Sequence, residues 1–70
     1  MPPGAGNSGA TGRSEVYFEF KQLGGQMRVA AIDAKTGIEV VVIAPLTATQ
    51  IYMQNLALAK LRRRLEQTGQ

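Results

Sequence analysis

Five carboxylates make up almost the whole acid–base inventory of this chain: Glu15, Glu19, Asp33, Glu39 and Glu66. General acid–base catalysis needs two such groups converging on one substrate in contrasting environments. The pattern does not supply that pair. Glu15 and Glu19 alternate along a strand-like run, and Asp33 opens a turn. The chain contains no histidine, cysteine or tryptophan, so metal ligation by imidazole or thiolate is excluded. Triads built on His or Cys are excluded with it, and Ser8, Ser14 and the threonines have no base to activate them. Gly24-Gly25 is no phosphate loop, because no GK[ST] follows and no helix opens after it. The expectation is a protein with no catalytic residues, no metal, no cofactor and no small-molecule ligand.

The cations are the other group with chemistry to offer. Lys60, Arg62, Arg63 and Arg64 hold four of the eight basic residues, and the formal net charge is +3. Outside that one turn the charges nearly balance. Lys21 and Arg28 fall together on one face of a sheet in the register derived below, with Tyr17 beside them. These six cations are the candidate contacts for nucleic acid, through a basic helix end and an open sheet face. Three observations weigh against that reading. Cations in the last turns of a helix already interact favourably with its dipole, and consecutive arginines point about 100° apart rather than along one stripe. Glu15, Glu19 and Glu39 share the sheet face and would repel phosphate. Nucleic acid is therefore the second choice of partner.

The elements that must position these groups are legible. Residues 46–67, LTATQIYMQNLALAKLRRRLEQ, read as one helix over about 48–67. Thr47 with Gln50 fits a capping box, and Leu46 with Ile51 a hydrophobic staple. Thr68-Gly69 suits the stop. Ile51, Leu58, Leu61 and Leu65 fall on one stripe with Ala57 at its border, and each such side chain contributes roughly 1.5–3 kcal/mol when buried. Tyr52, Leu56 and Met53 form a second, weaker apolar patch.

Three strands precede the helix, at about 15–22, 26–33 and 38–44. EVYFEFK alternates, with Val16, Phe18 and Phe20 to one side. Gly24-Gly25 fits a two-residue type I′ hairpin, which needs positive φ at both positions. Closing it sets Phe20 opposite Val29 and Phe18 opposite Ala31. Asp33 to Gly37 makes the next turn, with Asp33 bonding its own downstream backbone and Gly37 left-handed. Ala31 then meets Val40, and Val29 meets Val42. The expected core is Val16, Phe18, Phe20, Met27, Val29, Ala31, Val40 and Val42 under Ile51, Leu58, Leu61 and Leu65. The fold class is α+β: a three-stranded antiparallel meander with a C-terminal helix on one face.

Residues 1–14 carry no apolar period and read as a disordered tail before a single βββα domain at 15–70. They lack the apolar h-region of a signal peptide, and no run is long enough to span a membrane. With no cysteine to staple so short a core, a cytoplasmic setting and support by oligomerisation are expected.

EVYFEF, the VAAIDAKTGIEVVV hairpin and the LALAKLRRRL helix resemble a family of small bacterial proteins of unknown function. The resemblance covers residues 15–66. It implies the same three strands and helix, and it brings no active site, cofactor or ligand.

What remains is surface. The sheet face away from the helix carries Tyr17, Ala30, Ile32, Val41 and Ile43, rimmed by Glu19, Lys21, Arg28 and Glu39. That is less polar than a fully solvated face. The third strand, IEVVVIA, is an edge whose VVVI run lacks the charges that blunt one. A homo-oligomeric, non-enzymatic interaction module follows, with a dimer favoured. Its contact residues would be Tyr17, Ile32, Val41 and Ile43 with Tyr52 and Leu56. Edge pairing of strand three and packing of the open faces are the two geometries.

Overall fold

The computed structural model describes residues 15–68. The expectations for residues 1–14 and Gly69 lie outside them. Three strands, β1 (Val16–Leu23), β2 (Gln26–Asp33) and β3 (Glu39–Pro45), form one antiparallel sheet in the order β1-β2-β3, followed by one helix, α1 (Gln50–Gln67). The fold is α+β, and the register is the one the hydrophobic pattern requires. Phe20 pairs with Val29 and Phe18 with Ala31, while Ala31 pairs with Val40 and Val29 with Val42. A slip of one residue would have turned every one of these side chains to water.

The first turn uses glycine differently from the simplest expectation. Gly24 sits at φ 62° but Gly25 is not at positive φ. Positive φ at the first central residue alone is the type II′ pattern, not type I′. The second turn is as expected. Gly37 takes φ 79°, and Asp33 Oδ2 accepts from Thr36 N at 2.9 Å and from Thr36 Oγ1 at 2.8 Å. Asp33 is only 2% exposed, so this carboxylate is fully used in holding its own turn.

The helix begins two residues later than the sequence suggests. The N-cap is Thr49, not Thr47: its hydroxyl accepts from Tyr52 N at 3.1 Å. Pro45 O accepts from Ala48 N at 3.0 Å, and this tight turn carries the chain out of β3 and sets Thr49 at the helix mouth. The shift rotates the buried face. Met53, Ala57 and Leu61 are buried, with Leu65 packed partly against them. Ile51 is 69% exposed and Leu46 42% exposed, so neither the staple nor the place of Ile51 in the core is formed. Leu58 is half-buried. Met53 moves the other way, from the surface patch into the core.

The core is small and tightly drawn. Val29, Ala31, Val40, Ala44, Met53, Ala57 and Leu61 are buried together, and Val16, Phe18, Phe20, Met27, Ile38, Val42, Ala48 and Leu65 pack around them. Ala31 and Ala44 of the sheet share this core with Ala57 of the helix, and such small side chains suit close packing of the two layers. α1 packs equally on β2 and β3, which leaves Phe18 and Phe20 of β1 half-buried.

Candidate interaction site

Backbone direction decides what each strand edge offers. Asp33 N donates to Ile38 O at 2.8 Å, and Ala34 N donates to Glu15 O at 2.9 Å. Hydrogen-bonded pairs alternate along an antiparallel ladder. The odd residues of β2 therefore bond to β3 and the even ones to β1. On β3, Val40, Val42 and Ala44 turn their backbone groups inward, while Glu39, Val41 and Ile43 turn theirs outward along the free edge.

That edge is partly blocked by α1. Lys60 Nζ donates to Val41 O at 2.7 Å, and Pro45, the last residue of the strand, has no N–H to offer. Pro45 O is taken by Ala48 N. The charge that the sequence of β3 lacks is thus supplied from the helix, nineteen positions away in the chain.

The same flank of the helix makes a groove with β3. An open cleft of about 630 Å³ is lined by Val42, Leu56, Ala59, Lys60, Arg63, Arg64 and Gln67. Lys60, Arg63 and Arg64 are gathered at the groove; Arg62, one residue out of phase, is not among its lining. Lys21 and Arg28 lie on the opposite face of the sheet, where they are direct cross-strand partners. The six cations considered for nucleic acid are therefore divided between two sides of the molecule.

The residues considered for self-association are divided as well. Tyr17, Ile32, Val41 and Ile43 share the open face. Tyr52 and Leu56 ride on the helix, on the covered side. The open face is built in rows across the strands: Tyr17, Ile32 and Glu39; then Glu19, Ala30 and Val41; then Lys21, Arg28 and Ile43. Tyr17 is 55% and Ile43 49% exposed, and Ala30 between them is 0% exposed. An apolar band crosses this face diagonally from β1 to β3, with acids and cations at its two ends. Tyr17 Oη donates to Glu15 Oε1 at 3.0 Å. That hydrogen bond, helped by the negative charge of Glu15, holds the phenol above its ordinary pKa.

Among the described residues no cluster of three His, Cys, Asp or Glu side chains could hold a metal ion, and no helix is long and apolar enough to cross a membrane. Sequence reasoning missed two features, the Lys60 contact and the groove beside it. Their signal was present as Leu56, Lys60 and Arg63 at helical spacing on one flank, but without the phase of the helix that flank could not be set against β3.

Residues 13–68 match the model of a family described as a domain of unknown function, DUF6898. The match spans most of the chain, and the chain belongs to that family. No curated protein and no solved structure matches it.

Proposed function

We propose that this DUF6898 member is a small non-catalytic interaction module that works as a homodimer in a bacterial-type cytoplasm, with the open face of the sheet as its contact. The observation that carries the reading is the apolar band Tyr17–Ile32–Ala30–Val41–Ile43 on a face that no other element covers among the described residues. Contiguous apolar surface on a small domain marks a contact more often than scattered exposed residues do. A two-fold axis running across the strands through the Ala30 row sets Ala30 and Val41 against their own copies and Lys21 over the Tyr17 phenol of the partner. Ala30 at the centre, with only a methyl group, lets the two sheets come close. A two-fold contact uses one patch twice. Face packing is preferred to edge pairing because Lys60 already occupies the outward carbonyl at the middle of β3.

The absence of histidine and cysteine from the chain supports a non-catalytic role. Nucleic acid is a weaker reading, since the cations do not converge and Glu19 and Glu39 flank those on the sheet. Sedimentation equilibrium over a wide concentration range tests the proposal. A dimer that Val41→Lys converts to a folded monomer is the expected result. A wild-type chain that remains monomeric at the highest concentration would overturn it.

A further inference from the structure

We propose that the groove between α1 and β3 is a docking site for an acidic peptide in extended conformation, which adds to the β3 edge as a fourth strand. Three features of the groove specify that occupant. Its charged lining is Lys60, Arg63 and Arg64 with no acid among the lining residues, so an anionic ligand is favoured and a second copy of this positive flank is repelled. Its apolar part, Val42, Leu56 and Ala59, gives a side chain something to lie on, which a phosphate backbone would not use. Beside it runs a strand edge whose Val41 and Ile43 backbone groups point outward. Strand addition of this kind draws affinity from main-chain hydrogen bonds and specificity from alternate side chains.

The alternation fixes the ligand pattern. Successive side chains of an added strand point to opposite faces. Those on the helix side meet Lys60, Arg63 and Arg64 and should be Glu or Asp. Those on the other side continue the open face beside Val41 and Ile43 and should be apolar. Lys60 then acts as a selective clip. In the free protein its ammonium donates to Val41 O. When the peptide arrives, a peptide N–H takes over that carbonyl and Lys60 turns to a carboxylate. A neutral or basic strand offers the displaced ammonium nothing in return. The groove lies on the helix side, so this inference stands whether or not the open faces pair.

The test is a titration of the full chain with a capped peptide of alternating valine and glutamate, matched to β3 in length, read by amide exchange and NMR. Slowed exchange at Val41 and Ile43 N–H is expected, with affinity that falls as salt rises. Arg63→Gln combined with Arg64→Gln, at exposed positions where glutamine keeps the helix, should weaken binding by about tenfold. Unchanged Val41 and Ile43 amides would overturn the proposal. Equal binding of a valine–lysine peptide would also overturn it, as would a single-stranded oligonucleotide that binds this flank more tightly than the acidic peptide.

Discussion

Thr47 and Thr49 are two residues apart and chemically identical, yet only Thr49 caps the helix. Thr47→Ala should therefore leave the thermal midpoint nearly unchanged. Thr49→Ala removes the acceptor for Tyr52 N and should cost about 1 kcal/mol, a fall of about 4–8 °C for a domain this size. Thermal unfolding of the two single variants, compared side by side, checks the assignment. The glycines of the first hairpin make a similar pair. An added Cβ meets nothing within 4 Å at either position, so conformation alone separates them. Gly24→Ala must hold φ near 62° at a cost of about 1–2 kcal/mol, whereas Gly25→Ala should be well tolerated. Tyr17 supplies a residue-scale prediction in pH. Its raised phenol pKa is due first to the hydrogen bond to Glu15 and then to that carboxylate's charge. The folded-state pKa lies above the unfolded one, so this contribution is fully present below the unfolded value and is lost as pH rises through the folded value. Absorbance titration of Glu15→Gln should show the Tyr17 phenol ionising at lower pH than in the wild type.

At the scale of elements, strand register and helix phase were unequally legible. β1 alternates without a break, and the two turns carry its register across the more uniformly apolar β2 and β3; a period of two leaves only two settings, one of which exposes Phe18 and Phe20. The sequence therefore determined the ladder. A helix has no such binary choice. Ile51, Leu58, Leu61 and Leu65 make one plausible stripe, while Met53, Ala57, Leu61 and Leu65 make another some tens of degrees away. What selects the second is the turn at Pro45–Ala48 and the burial of Ala57 in one core with Ala31 and Ala44, both tertiary facts. The two stripes predict different mutants. Met53→Ala, at a site 5% exposed, should cost about 2–5 kcal/mol, which rivals the whole stability expected of a core this small, and the variant should be largely unfolded by circular dichroism. Ile51→Ser, at a site 69% exposed, should fall within about 0.5 kcal/mol of wild type. The Lys60 contact was invisible for the same reason as the phase: it joins positions that only the packed helix brings together.

At the scale of the whole molecule, fold class was readable from the order of patterns, and the division of surfaces was not. Lys21 and Arg28 share a face with Tyr17 and Ile43, whereas Lys60, Arg63 and Arg64 share one with Leu56, and the sheet stands between the two sets. A single basic footprint would have favoured a polyanion. Two smaller surfaces of different character instead suit two different contacts, one with a copy and one with an acidic strand. One structural feature bears on how this molecule comes apart. The helix rests on β2 and β3, so β1 is held by its ladder to β2 and by two half-buried phenylalanines. β1 is then the segment that can detach while the rest stays folded, a sub-global opening of the kind that native-state exchange resolves. Amides of Tyr17, Glu19 and Lys21, which bond to β2, should exchange with a lower free energy and a weaker dependence on denaturant than those of Val40 and Val42. The transient species would expose the even-numbered backbone groups of β2. It offers a second copy of the chain a vacancy shaped for its own β1, so mild heating of a concentrated sample should yield a strand-exchanged species that is distinct from the proposed open-face dimer and persists in the Val41→Lys variant.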